Sequence, residues 1–505
     1  MARTFNIIFK NSSFKMASFG VSTLVWLALT PFMIHSLGDV DYGIWVLVGS
    51  ICGFYGFLDF GISSSIIRYV SKYVALGDTE NVNKTVSTCF VLYAILALLI
   101  VISSVVLAWT FQLFFDVPEG KETVVKTVLV LLGLNLALAF PFRVFSGVLK
   151  ATMRFTIAST IELVSELLKA VLIVFALMNQ GGLVSLALVT LAVTVLSYSF
   201  NAYFALKSLP VLRLRLRFVE MKRAKEVFNY SIHTFVIMIG DLLRFNLDSI
   251  VIGAMLSLSA ITPFAIAQKL VRFPLMLIVQ VFSVTTPLYS GYETKKDTLA
   301  IQKLFVNSTF YSALISFFVA VMFIIYGDTF IALWVGEQYA ESSYHVLVIL
   351  AISTSVALAQ NPSIVAAYGT EKHKVLGIIT VIEGLLNLTL TLVLVKKMGL
   401  IGVALGTAIP MVLMKGVVQP FYICRIAKLP VLKYFRRCFF VPLSTIFIFV
   451  LLQVIVKNYV QIDKLSEFVV AVTLSSCIFL IFVILLIFFN RDQKAYWKGM
   501  ITSLK

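Results

Sequence analysis

Three ionisable residues interrupt one strongly apolar stretch at helical spacing: Asp241, Arg244 and Asp248, in a run that ends IVIGAML. Positions i, i+3 and i+7 share one helix face. A lone charge at the centre of a bilayer costs about 2.5–3.5 kcal/mol on insertion scales. Three on one stripe therefore require a polar interior for the stripe to face. Other charges share this setting. Glu162, Glu166 and Lys169 stand at i, i+4 and i+7. Lys269 and Arg272 stand at i and i+3, just ahead of Pro274, and Glu383 and Asn387 at i and i+4. Asp59 lies between Gly56 and Gly61, Arg143 two residues after Pro141, and Lys415 stands alone.

Two kinds of chemistry suit these residue types. Arg matches phosphate oxygens bidentately, and Lys acts as a point charge. Buried carboxylates can carry protons or coordinate sodium, because desolvation favours their neutral form. The candidate anion-binding residues are thus Arg143, Lys169, Arg244, Lys269, Arg272 and Lys415. The candidate ion-coupling or charge network is Asp59, Glu162, Glu166, Asp241, Asp248 and Glu383. An even split of cations and anions does not suit a simple positive tube. Plainer readings stay open: Arg244 can be neutralised by Asp241 and Asp248 within its own helix, and Arg143, Lys269 and Arg272 can snorkel.

Nothing points to catalysis. His35, His233, His345 and His373 are scattered, with no metal-ligand spacing. The five cysteines lie in or beside apolar runs and match neither a disulfide framework nor a zinc site. There is no Walker motif, and GLIGVALG from Gly399 is a small-residue helix face, not a nucleotide loop. The chain is expected to be no enzyme and to hold no metal and no cofactor beyond a coupling ion, sodium or proton.

The elements that must position these residues are membrane spans. The chain has 505 residues, 60% hydrophobic and 13% charged, with mean hydropathy +1.00. Soluble domains are about 45–50% apolar and 25% charged. The pattern predicts an all-α polytopic membrane protein of about fourteen transmembrane helices, near 17–34, 43–66, 85–109, 123–146, 157–178, 183–206, 227–252, 258–288, 304–326, 344–367, 376–395, 402–424, 438–456 and 465–489. Of the 41 Lys and Arg residues, 29 then fall on the side of the N-terminus and 5 on the other side. That asymmetry places both termini in the cytoplasm and explains the net charge of +17 by the bilayer, without nucleic acid. The longest outside loop, roughly 327–343, is too short for the chemistry of a membrane polymerase.

The most basic loop, 207–226, carries Arg213, Arg215, Arg217, Lys222, Arg223 and Lys225. Phe218, Met221, Lys225 and Phe228 suggest a short amphipathic stretch at the membrane surface, serving as a topogenic anchor or as a lipid-binding or regulatory segment. The loop separates two copies of a weak parallel repeat. GGLVSLALVT from Gly181 resembles MGLIGVALGT from Met398, superposing Gly182 on Gly399, Thr190 on Thr407 and Glu166 on Glu383. The expected organisation is an N-terminal six-helix lobe (1–206), the basic cytoplasmic loop (207–226), a second six-helix lobe (227–427), and two further helices with a basic tail (428–505).

Three stretches carry a family resemblance: LGDVDYGIWVLVGSICGFYGFLDFGISSSIIRYVSKY from Leu37, LDSIVIGAMLSLSAITPFAIAQKLV from Leu247, and AAYGTEKHKVLGIITVIEGLLNLTLTLVLVKKMGLIGVALGT from Ala366. They resemble the polysaccharide-exporter branch of the multidrug/oligosaccharidyl-lipid/polysaccharide superfamily. The resemblance implies two pseudo-symmetric six-helix lobes around a central cavity, with two added C-terminal helices. It also implies a bacterial inner-membrane flippase for O-antigen or capsule repeat units, as in lipopolysaccharide synthesis, that moves oligosaccharide on a polyprenyl diphosphate by alternating access. Implied partners are the bilayer, that lipid-linked glycan, and a polysaccharide polymerase with assembly proteins. A drug/cation antiporter of the same superfamily and a lipid II flippase remain alternatives.

Overall fold

The computed structural model describes the backbone of residues 2–459 and 462–489. Within these it describes side chains at all but 2–17, 19, 230–245, 458–459 and 489. No strand occurs among the described residues. Fourteen helical rods do. The first helix, Ala2–Phe54, is broken by Gly38 at φ 76° into α1 (2–37) and the start of α2. α2 continues through a 3-10 turn, Tyr55–Asp59, into Ile62–Ala75. Then follow α3 (Thr79–Thr110), α4 (Glu122–Ala151), α5 (Phe155–Met178), α6 (Leu183–Ser208) and α7 (Met221–Met255). α8 joins Ile261–Ser283 to Thr286–Thr294. α9 is Thr298–Val335, and α10 joins Ala340–Ala359 to Asn361–Gly369. The helix Lys374–Met411 is split by Gly399 at φ 56° into α11 (374–398) and the start of α12, which continues through a π segment, Val412–Val418, to Gln419–Ile426. α13 runs from Val431–Phe435 through a π turn to Val441–Tyr459, and α14 is Leu465–Phe489.

Among the described residues, ten stretches are long and apolar enough to cross a membrane. Two of them, Gly20–Asp59 and Lys374–Ile426, each contain a glycine break and so hold two rods. α5 falls short of that measure because Glu162, Glu166 and Lys169 lie in every span-length window. In α7 the side chains of 221–229 and 246–255 are described, and 246–255 is apolar. The protein is a multi-pass, all-α membrane protein. One expectation changes. The outside loop expected at 327–343 is mostly helix, since α9 runs on to Val335. Gly327 lets Leu347 approach where a Cβ would sit 2.8 Å from its side chain, and Asp328 pairs with Lys457 at 3.2 Å.

The chain forms two compact units. One comprises Met1–Ala265 with Gly377–Thr407, the other Ile266–Leu376 with Ala408–Lys505. In the first, Ile66, Val70, Val86, Tyr93, Phe140, Val144 and Val148 form a core between α2, α3 and α4. In the second, α13 and α14 pack on α9 through Phe310, Leu314, Phe449 and Phe479. The buried Gln453 fixes that packing: its Oε1 accepts from Tyr326 at 2.9 Å and Ser475 at 2.8 Å.

The repeat expected from α6 and α12 extends through the turns. Asp78 caps α3 by accepting from the Asn81 N–H at 3.0 Å, and Asp297, 219 residues on, caps α9 by accepting from the Ala300 N–H at 2.9 Å. Before each cap a residue is left-handed, Gly77 at φ 69° and Lys296 at φ 55°. Met153 (φ 60°) and Glu371 (φ 58°) turn the chain into α5 and α11. The amide that follows donates to Leu149 O in one case and Ala367 O in the other, both at 2.8 Å. Asn83 donates to Val211 O at 3.1 Å, and Gln302 to Lys428 O at 3.0 Å. These bonds lie within each copy and are conserved in geometry where the sequences have diverged.

Candidate functional site

Asp59 ends the 3-10 turn in α2 and is 5% exposed. Phe60 (φ 46°) and Gly61 (φ 76°) are both left-handed, so the chain turns sharply there before Ile62–Ala75 resumes. Ser63 donates to Asp59 Oδ1 at 2.9 Å, and Tyr93 of α3 donates to the same oxygen. Arg143 of α4 brings Nη1 to 3.8 Å from it. The guanidinium lies over the Phe140 ring, 4.5 Å from its centroid, and Tyr93 meets that ring edge-on. The Arg143 side chain remains 30% exposed. A guanidinium carries five N–H donors. Here it is oriented by a carboxylate beyond hydrogen-bond length and by an aromatic face, with donors left for an incoming anion.

A second cluster in the same unit is fully buried. Thr407 of α12 donates to Asp248 of α7, with its oxygen 3.0 and 3.1 Å from the two carboxylate oxygens. Asn387 of α11 donates to Thr407 at 3.0 Å, and Thr391 donates to Asn387 at 3.3 Å. Glu383, also buried, lies one turn before Asn387. The small-residue face of α12 makes this possible. A Cβ on Gly402 would sit 2.3 Å from Leu394 O, and one on Gly406 2.3 Å from Thr391 Oγ1. α11 and α12 therefore touch backbone to backbone. Carboxylate, hydroxyl and amide oxygens are hard donors, suited to a proton or a small cation.

The α5 residues separate. Lys169 stacks on Trp26 of α1, 5.6 Å from the ring centroid. Glu166 Oε2 is buried without a hydrogen bond. Glu162 is exposed and lies 3.8 Å from Lys150. In the second unit, Lys269 and Arg272 lie one turn apart inside Ile261–Ser283, and Lys415 is 3% exposed within the π segment of α12. π segments widen a helix and recur at functional sites. Asp241 and Arg244 lie outside the residues whose side chains are described. Tyr93, Ser63 and Thr407 complete the two clusters, and sequence reasoning did not place them there. The one available signal was a tyrosine inside the uncharged run 89–109, where a hydroxyl needs a partner.

The family model described as "Polysaccharide biosynthesis protein" matches residues 36–344, more than half of the chain. The chain belongs to this family. Within it, the protein is a member of the polysaccharide-exporter branch of the multidrug/oligosaccharidyl-lipid/polysaccharide superfamily. It is 24% identical over 423 residues to EpsK, an uncharacterised membrane protein of Bacillus subtilis, spanning 82% of this chain and 83% of that one. It is 24% identical over 396 residues to a Haloferax volcanii protein that bears the name low-salt glycan biosynthesis flippase Agl15, spanning 76% and 77%. Among solved structures, the fold matches the lipid II flippase MurJ in an inward closed conformation, with TM-score 0.72 at 15% identity over 93% of this chain and 98% of that one. It also matches an inward-facing multidrug resistance MATE transporter of the same superfamily, with TM-score 0.69 at 15% identity over 83% and 99%. This polysaccharide-biosynthesis family member thus shares one fold with both.

Proposed function

We propose that the protein is a flippase that carries polyprenyl-diphosphate-linked oligosaccharide repeat units from the cytoplasmic to the outer leaflet of a bacterial inner membrane, by alternating access and without catalysing a reaction. A diphosphate headgroup carries about two negative charges and cannot enter hydrocarbon without donors to replace water. Arg143 is the observation that carries the reading: a guanidinium inside a membrane span, positioned by buried Asp59 and still accessible. Lys169, Lys269, Arg272, Lys415 and Arg244 are the further cations along the path. Both termini face the cytoplasm, and a polysaccharide polymerase takes the product.

Asp248, Thr407 and Asn387, with Glu383 beside them, supply the coupling site for a proton or sodium ion. Voltage assists as well: moving two negative charges out of a negative interior is favoured by about 4–5 kcal/mol per 100 mV.

A drug/cation antiporter is the second reading, favoured by the fold match to a multidrug transporter. Replacement of the native gene by the Arg143→Ala variant separates the two. At normal membrane abundance, the flippase reading expects loss of surface polysaccharide with drug tolerance unchanged. Intact polysaccharide with lowered drug tolerance would favour the antiporter.

A further inference from the structure

The basic segment between α6 and α7 is left unused by this reading. It is neither a loose loop nor a separate amphipathic helix. Arg215 is extended at φ −145° and ψ 139°, a single 3-10 turn follows at Leu216–Phe218, and α7 starts at Met221. Side chains of α3 hold its backbone as a neighbouring strand would. The Arg213 N–H donates to Asn83 at 2.7 Å, Ser87 donates to Arg213 O at 3.4 Å, the Arg215 N–H donates to Ser87 at 3.3 Å, and the Glu220 N–H donates to Thr88 at 3.2 Å. Arg223 anchors the far end. It is buried and donates to Tyr73, Asn81 and Glu226, each at 2.6 Å.

This attachment sets both depth and charge. The uncharged apolar part of α3 is 89–109, whose 21 residues are enough to cross the hydrocarbon core. Asn83, Ser87 and Thr88 lie in the turns just before it, so the segment is held at headgroup level. Its two acids are already engaged, Glu220 by Lys84 at 2.7 Å and Glu226 by Arg223. Arg213, Arg215, Arg217, Lys222 and Lys225 are all exposed. Between them Leu216 is 81% and Met221 74% exposed. Fixed cations alternating with exposed apolar side chains at the depth of lipid phosphates match an anionic membrane surface in both charge and polarity.

We propose that residues 211–225 form a binding surface for net-negative phospholipid headgroups of the leaflet they face. The surface contains none of the residues assigned to transport or coupling. The test places the full-length wild-type protein in nanodiscs of phosphatidylcholine alone, or with about one third phosphatidylglycerol. Trypsin cleavage at Arg213, Arg215 and Arg217 is followed relative to cleavage at exposed Lys295 and Lys296. The expected result is cleavage about tenfold slower with phosphatidylglycerol, with the protection removed at high salt. Equal relative rates in both lipids, or protection in phosphatidylcholine alone, would overturn the proposal. A second arm washes detergent-solubilised protein and measures retained phosphatidylglycerol. The variant with Arg213→Gln, Arg215→Gln and Arg217→Gln should retain several-fold less than wild type. Equal retention also overturns the proposal, and if that variant does not fold, the wild-type arm decides alone.

Discussion

Arg143 Nη1 stands 3.8 Å from Asp59 Oδ1, while Tyr93 and Ser63 both donate to that same oxygen. The carboxylate is thus satisfied by hydroxyls, and the guanidinium is oriented without being consumed. The counterpart of this cluster in the second copy is uncharged: Asp59 and Tyr93 map to Ile278 and Ser312 by the 219-residue offset that relates Asp78 to Asp297, and Arg143 maps to Asn361 by the 218-residue offset that relates Met153 to Glu371. This particular ion pair belongs to one copy of the repeat.

From this, Arg143→Lys should keep part of the transport and Arg143→Ala should remove most of it, because Lys retains the charge but not the fork of donors. Asp59→Asn should lower transport less than Arg143→Ala, since Tyr93 and Ser63 still orient residue 59. Surface polysaccharide normalised to membrane abundance gives the order. Equal activity of the Ala variant and wild type removes Arg143 from the path.

Thr407 both donates to Asp248 and accepts from Asn387. Thr407→Val is nearly isosteric and leaves both partners buried. The expected cost is about 1–3 kcal/mol for each group left unsatisfied. It should appear as a lower unfolding temperature of purified protein. Asp248→Asn should instead preserve folding while abolishing the response of transport to an imposed sodium or proton gradient. An unchanged gradient response would dissociate Asp248 from coupling.

Gly406→Ala places a Cβ 2.3 Å from Thr391 Oγ1 and 2.7 Å from its backbone. Overpacking of this kind costs about 1–3 kcal/mol. Gly20→Ala, with nothing within 4 Å, should be neutral or slightly stabilising. Thermal unfolding of the two variants side by side checks the contrast. Equal midpoints would mean that α11 and α12 are not in backbone contact.

A hydrogen bond from Lys84 holds the Glu220 carboxyl below its ordinary range. Its folded pKa is depressed, so its contribution is present above the unfolded value, about 4.3, and is lost as pH falls through the folded one. Attachment of 211–220 to α3 should therefore weaken as pH falls below that unfolded value and on through the depressed folded one. Amide exchange in that segment, corrected for the intrinsic pH dependence, should rise there in wild type and lose this pH response in Glu220→Gln.

The helices were legible because length and hydropathy alone define a span. Breaks at Gly38 and Gly399 were legible for the same reason, as two short apolar runs meeting at a glycine. The site was legible in residue type and only partly in partnership. Asp248 and Asn387 lie on separate helices and are joined by Thr407, whose side chain looks unremarkable within GVALGT. Glu162 and Lys169 share a helix face yet reach different helices, Lys150 of α4 and Trp26 of α1. Spacing along one helix places side chains on a face; it carries no information about which helix covers that face. The basic loop was legible as charge, but its fixed backbone depends on Asn83, Ser87 and Thr88, three polar residues that read only as the start of a helix.

The central claim is that Arg143 helps to carry a lipid diphosphate across the bilayer. It is tested most directly in sealed vesicles containing the purified protein and a fluorescent polyprenyl-diphosphate oligosaccharide in the inner leaflet, with outward appearance read by an impermeant glycosidase. Wild type should expose the glycan far faster than protein-free vesicles, and faster still with an inside-negative potential. Arg143→Ala should fall to near the protein-free rate. Exposure at the wild-type rate in Arg143→Ala, or no exposure above protein-free vesicles in wild type, would contradict it.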